Sequence, residues 1–262
     1  MLLNQNLVNS AMTVNSSQQF SLSLWVNSAL LVSFLLGACT PKISSVTQSL
    51  TLQFKAVVGS KALDFNRIQY ENPGGVGQFK IRDFQFIMSN IKLFSEVGNY
   101  FETDSYHIVR FDNADKSFAI VIDNIPIRDY QTIALSIGVD PAANSSVQFI
   151  GDLDPNSRMA WSWDVGYKFI LFEGGLSHHN VLSPLVYHVG FNENYKALSF
   201  PINQSRSSQK LAPLNFKVDI ESLFTGVNVV DMVELSTVKF DKNDAKRIAE
   251  NYETMISLVN TE

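Results

Sequence analysis

Apolar and polar residues alternate along most of the chain beyond position 49. In Leu50-Thr51-Leu52-Gln53-Phe54-Lys55-Ala56-Val57-Val58 every second side chain falls on one face, the mark of a half-buried strand. The apolar-rich stretch 79–94 reads as two short strands with a bend near Ser89-Asn90. Further strands are expected at 105–111, where His107, Val109 and Phe111 share a face, and at 118–122, stopped by Asn124-Ile125-Pro126. Three more are expected at 130–137, at 185–190 carrying His188, and at 216–220. Turn chemistry separates them at Asn72-Pro73-Gly74-Gly75, Gly138-Val139-Asp140-Pro141 and Asp152-Leu153-Asp154-Pro155.

The densest block is Arg158-Met159-Ala160-Trp161-Ser162-Trp163-Asp164-Val165-Gly166-Tyr167-Lys168, which holds two of the chain's three tryptophans. At strand spacing Met159, Trp161 and Trp163 form one stripe, with Ala160, Ser162 and Asp164 on the other face. Such a stripe is either sandwich core or a soft, electron-rich site, and spacing leaves both readings open. Gly166 suggests a bulge or a close backbone approach. A second strand over 167–172 should close in a turn at Gly174-Gly175.

Near the C-terminus the period changes. Ala245, Ile248, Ala249, Tyr252, Met255, Ile256 and Val259 recur at helical spacing, which predicts a helix over 242–259. Asp241 is placed as its N-cap and Asp244 as an acid in its first turn. Many short strands and one helix predict an all-β fold. The expected architecture is an antiparallel β-sandwich of the immunoglobulin-like, Greek-key type, with the helix packed on it.

Composition narrows the class. Hydrophobic residues make up 45% and charged residues 17%, so the chain can bury a core. A net charge of −5, with no basic patch, argues against a nucleic-acid partner. There is one cysteine, Cys39, in Leu35-Leu36-Gly37-Ala38-Cys39 after an apolar run that starts at Leu22. Small residues before a cysteine at the end of an apolar segment match a bacterial lipoprotein cleavage site. Residues 1–38 then form a signal peptide, although they contain no Lys or Arg. Cys39 is the lipidated first residue, 39–48 is a tether, and 49–262 is the domain. The other reading of the apolar run is an uncleaved anchor helix. Both place the domain outside the cytoplasm.

Catalytic signatures are absent: no Gly-x-Ser-x-Gly, His-Glu-x-x-His, phosphate loop or haem-attachment motif occurs, and an enzyme is not expected. Of the four histidines, His107 and His188 lie in strand-like segments and His178-His179 in a polar loop. Asp140, Asp152 and Asp154 stand at turns, where Asp serves its own backbone. Asp164 and Glu173 read as surface or turn carboxylates.

The block Met159-x-Trp161-x-Trp163-x-x-Gly166-Tyr167, followed by Glu173-Gly174, resembles the signature of the MbnP-like copper-binding domain family. Weaker similarities occur in order along the chain. They include Leu52-Gln53-Phe54, Ser89-Asn90-Ile91, Tyr106-His107-Ile108-Val109, Gly138-Val139-Asp140 and Tyr187-His188-Val189-Gly190. The resemblance implies a copper-binding protein, periplasmic or at the cell surface. It also implies a partner, a MauG-like dihaem peroxidase that oxidises a tryptophan, in some members to kynurenine. Carried onto this chain, it implies His107, His188 and Met159 as ligands for Cu(I) or Cu(II), and Trp161 or Trp163 as the modified residue. Imidazole and thioether suit copper, and the chain has no haem of its own. The expected protein is lipid-anchored at the outer membrane of a Gram-negative bacterium, facing the periplasm or the exterior. A copper site requires His107 and His188 to converge near the tryptophans. The alternative is a surface interaction module that binds a protein or glycan without metal; it requires an exposed aromatic patch remote from any histidine.

Overall fold

A computed structural model of the chain describes residues 46–146, 149–162, 164–204 and 211–259. The expected signal peptide, Cys39 and Trp163 lie outside the described residues. In chain order the strands are β1 (Thr47–Val58), β2 (Lys61–Ala62), β3 (Tyr70–Glu71), β4 (Gln78–Phe94), β5 (Tyr100–Phe101), β6 (Tyr106–Arg110), β7 (Ser117–Pro126) and β8 (Tyr130–Ile137). They continue with β9 (Ala160–Ser162), β10 (Gly166–His178), β11 (Val181–Gly190), β12 (Lys196–Gln204), β13 (Leu214–Asp219), β14 (Thr237–Val238) and β15 (Ile256–Val259). Short helices are α1 (Pro141–Asn144), α2 (Ser222–Thr225), α3 (Lys242–Ala249) and α4 (Tyr252–Met255).

The fold is mostly β, as expected. The smaller sheet runs β15-β13-β1-β2, with β7 also on β1. The larger runs β12-β8-β4-β10-β11-β14, with β3, β5 and β6 on β4 and β9 on β10. Most pairings are antiparallel, but β1 with β13 and β11 with β14 are parallel. The main core lies between the sheets. Leu50, Leu52 and Phe54 of β1 meet Phe84, Phe86 and Met88 of β4, all buried. Phe216 of β13 stacks on Phe54 at 5.1 Å and meets Phe200 of β12 edge-on at 5.3 Å.

The larger sheet is organised by β4. Its residues Gln85 and Phe86 pair with both β6 and β10, while Met88 and Ser89 pair with both β6 and β8. A strand has only two edges, so β8 and β10 lie end to end along one edge and β6 lies on the other. The expected bend is present: Asn90 has φ 53° and the register shifts between Ser89 and Lys92. The chain stays one strand through it. Residues on the outer face of β4 reach a second, smaller cluster of Ile87, Val139, Met159, Tyr167, Phe169 and Leu171.

Several boundaries differ from the sequence reading. β1 begins at Thr47, inside the expected tether. β7 continues through Asn124, at φ 59°, to Pro126. Gly174-Gly175 is not a turn; β10 runs through it to His178. A Cβ at Gly174 would sit 2.2 Å from the Lys80 carbonyl oxygen, so this glycine permits close approach to β4 rather than reversal. The reversal comes at His179-Asn180, with φ 49° and 59°, a two-residue hairpin turn.

The C-terminal helix is shorter than 242–259. Asp241 caps α3 as expected, accepting from Asn243 and Asp244 backbone N–H groups at 2.9 Å, but α3 ends at Ala249. Asn251 is fully buried and gives its amide to the carbonyls of Leu223 and Asn228, each at 2.8 Å. That anchor breaks the helix. α4 makes one more turn, and Ile256–Val259 pairs with β13 as a strand.

Candidate functional site

The site is built on the outer face of β10 and β11. Leu171 pairs with His188, and Glu173, two residues along, lies on the same face. Glu173 also stands opposite Asp83 of β4. One carboxylate oxygen of Glu173, Oε1, lies 3.2 Å from His188 Nε2. The other, Oε2, accepts from Arg82 at 2.6 Å and Arg158 at 3.2 Å. Arg158 also pairs with Asp83. Lys168 fastens the segment before β9, donating from Nζ to the Arg158 and Ala160 carbonyls at 2.6 and 3.2 Å.

Trp161 sits beside this charged row. Its ring meets His188 edge-on at 6.5 Å, Phe191 at 5.6 Å, and Phe240 in a stack at 4.7 Å. Phe240 is 62% exposed. Gly190 gives Trp161 its place against β11, since a Cβ there would lie 3.2 Å from the indole. A cleft of about 420 Å³ opens along Trp161, bounded by Asn144, Asn156, Gly166 and Tyr167.

The electrostatics suit a neutral imidazole next to a fixed anion. Burial works against ionising Glu173, but the hydrogen bonds from Arg82 and His188 and the two guanidinium charges outweigh it and hold its pKa below the ordinary value. Burial pushes the His188 pKa down, Lys168 and Lys239 add to this, and the pull of Glu173 does not overcome it. Burial thus disfavours the charged form of His188, and the neutral form is the one that ligates a metal.

Not all expected site residues meet. His107 pairs with Met88, so its side chain is on the face of the main core, whereas His188 shares the outer face with Leu171. β6, β4, β10 and β11 are successive neighbours, so three spacings of about 4.8 Å also separate the two. The expected convergence does not form, because register and alternation place the two imidazoles on opposite faces. His107 is held by Glu102 at 3.0 Å, and Glu102 also accepts from Ser105 at 2.5 Å.

The expected stripe is also broken. Met159 lies in the turn before β9, buried in the outer cluster, while Trp161 is half-buried in β9. His178 and His179 lie together at the hairpin corner, their ring centroids 3.9 Å apart and their planes tilted by 43°. Among the described residues no three or more His, Cys, Asp or Glu side chains gather as a metal site. Arg82, Arg158, Phe191 and Phe240 were not singled out from sequence, and Glu173 was read as a surface or turn carboxylate. Its place in the tryptophan block was the one available signal.

The fold and the aromatic–imidazole–carboxylate row define a β-sandwich with a polar site on the outer face of its larger sheet. The chain belongs to the MbnP family, whose sequence model matches residues 47–243. Among solved structures it is similar to MbnP from Methylosinus trichosporium, at 14% identity and a TM-score of 0.52, over 81% of this chain and 98% of that one. That likeness supports the fold. No curated protein matches the chain. Family membership supports a copper-associated, extracytoplasmic protein. Among the described residues no helix is long and apolar enough to cross a membrane.

Proposed function

We propose that this protein binds copper outside the cytoplasm, with His188 as its imidazole ligand, and serves metal acquisition or handling rather than catalysis. The observation that carries this is the placement of His188 against Trp161, in the block that marks the family. The fit is confined to His188: burial disfavours its charged form, and its Nδ1 has no hydrogen-bond partner among the described residues. Met159 lies on the same face of the sheet and offers a thioether. His107 does not fit, being on the other face, so the two-histidine site expected from sequence does not form and the reading stands on His188 alone among the histidines. The remaining donors would come from Trp161 or Trp163 once oxidised to a kynurenine-type group, which supplies an amine and a ketone where indole offered neither. The oxidant would be external, a MauG-like dihaem peroxidase. When bound, copper would supply either a carried ion or a redox centre. Lipidation at Cys39 would hold the domain at the outer membrane.

A mass map of protein from its native host tests this. Trypsin cuts after Arg158 and Lys168 and releases residues 159–168 with both tryptophans. An oxygenated tryptophan in this peptide, absent from a host lacking the peroxidase, together with copper in the intact protein, is the expected result. An unmodified peptide and no copper uptake would overturn the reading in favour of the interaction module. The exposed ring of Phe240 favours that second reading, but the patch it belongs to adjoins His188 rather than lying remote from any histidine.

A further inference from the structure

We infer that Glu173, clamped by Arg82 and Arg158, is a positioning residue that keeps the His188 proton on Nε2 and leaves Nδ1 as the atom with the free lone pair. The inference deepens the copper reading, and rests on it for its purpose but not for its test.

Three observations carry it. The two oxygens of the Glu173 carboxylate are divided: both guanidinium groups go to Oε2, and Oε1 is left to His188 Nε2. An ionised carboxylate can only accept, so the hydrogen in the 3.2 Å contact must belong to the imidazole. A neutral imidazole carries one N–H, and with that hydrogen on Nε2 the other nitrogen is bare. Nδ1 has no partner among the described residues that would pull the proton back. The pair is also rigid for reasons of fold: Glu173 and His188 are diagonal neighbours on adjacent strands, and Arg82 and Arg158 approach the carboxylate from β4 and from the segment before β9. A carboxylate that orients a histidine through its second nitrogen is a recurrent device for presenting the first to a ligand.

The test is ¹⁵N NMR of the histidine rings in the metal-free mature protein at mildly alkaline pH. The expected spectrum shows His188 with a protonated Nε2 and a bare Nδ1. Its Nε2 proton should exchange with water at least tenfold more slowly than that of His179, which is exposed at the hairpin turn. A proton on Nδ1, or an Nε2 proton exchanging as fast as that of His179, would overturn the inference.

Glu173→Gln makes the test sharper. Arg82 and Arg158 will still claim an acceptor, so the amide oxygen should face them and the NH₂ should face His188. The imidazole must then accept at Nε2, and the proton should move to Nδ1. Retention of the Nε2–H form in this variant would show that Glu173 does not set the tautomer. Should the variant fail to fold, the wild-type exchange rate still decides the matter. Adding Cu(I) alone as a probe should shift the Nδ1 resonance; a shift at Nε2 instead would contradict the assignment. Absence of any copper binding would overturn the proposed function while leaving the proton assignment, measured without metal, standing.

Discussion

The two faces of β4 were built from one alternating sequence, yet they behave as different materials. Phe84, Phe86 and Met88 point into a core shared by both sheets. Asp83, Gln85 and Ile87 point outward, to a small apolar cluster and the charged row around Glu173. Each face also holds an imidazole–carboxylate pair of similar length, His107 with Glu102 at 3.0 Å and His188 with Glu173 at 3.2 Å. The pairs differ in what surrounds them. Glu102 takes a serine hydroxyl as its other partner, whereas Glu173 takes two guanidinium groups and its histidine abuts an indole. A hydrogen-bonded histidine is thus no sign of a site by itself; the neighbours decide.

The largest effect should come from the inner face. Phe86 is fully buried between Ile170 and Val109 in the ladder, and Phe86→Ala should cost about 3–5 kcal/mol in urea unfolding. Leu171→Ala on the outer face should cost about 2 kcal/mol, the low end for such a change, because its cluster is small. Equal costs would mean that the outer cluster is as structural as the core.

Copper binding should separate the histidines in the opposite sense. His188→Ala is expected to weaken Cu(I) affinity by at least about 100-fold in a competition titration, the upper end of what losing an outer-shell partner does. His107→Ala should leave affinity within about twofold and instead lower stability by about 1–2 kcal/mol, since Glu102 loses one of two partners. A large loss of affinity from His107→Ala would refute the assignment of the site to one face.

The outer face carries a pH signature of its own. Burial acts against ionising Asp140, but hydrogen bonds from Tyr106, Asn90 and the Ala143 backbone outweigh it and keep the carboxyl below its ordinary value of 3.8. A depressed folded-state pKa gives stability that is complete above the unfolded value and is lost as pH falls through the folded one. Asp140→Asn should therefore cost about 1–3 kcal/mol at neutral pH, and the gap from wild type should narrow only below pH 3.8. A gap already closing near neutrality would show that another group governs it. The same geometry has Asp140 serving its own backbone, with one oxygen at the N-cap of α1 and the other accepting from the Tyr106 hydroxyl.

Much of the fold was legible because alternation is a local signal. β1 and the run 130–137 are marked by it, and Asp241 announces α3 through capping chemistry. The failures share one cause, a dependence on distant residues. Nothing near Gly174 distinguishes a glycine that turns the chain from one that admits Lys80 of β4. Met255 and Ile256 satisfy both a helical and a strand period, and the choice was made by Asn251 reaching Leu223 and by the open edge of β13. His107 and His188 looked equivalent because alternation tells which residues share a face within a strand, and not which face meets the partner sheet. The site was legible only as a block around Trp161. Arg82 and Phe240 reach it from segments far away in sequence, and Arg158, inside the block, meets a carboxylate that spacing alone does not place beside it.

The smallest effect expected is also the most specific to the outer face. Phe240 stacks on Trp161 at 4.7 Å and 26°, yet is mostly exposed, so its removal leaves little buried surface to lose. Phe240→Ala should change stability by no more than about 0.5–1 kcal/mol. What it should change is access to the indole. In a chain carrying Trp25→Phe and Trp163→Phe, Trp161 is the sole tryptophan, and its emission reports on the surroundings of that one indole. Phe240→Ala should shift that emission to the red and raise quenching by acrylamide, while His107→Ala, acting on the other face, should alter neither. If Phe240→Ala leaves quenching unchanged, the indole is shielded by Phe191 and His188 alone, and the exposed ring belongs to the surface for another reason. That result would move weight from a guarded tryptophan beside a ligating histidine toward an aromatic contact offered to a partner.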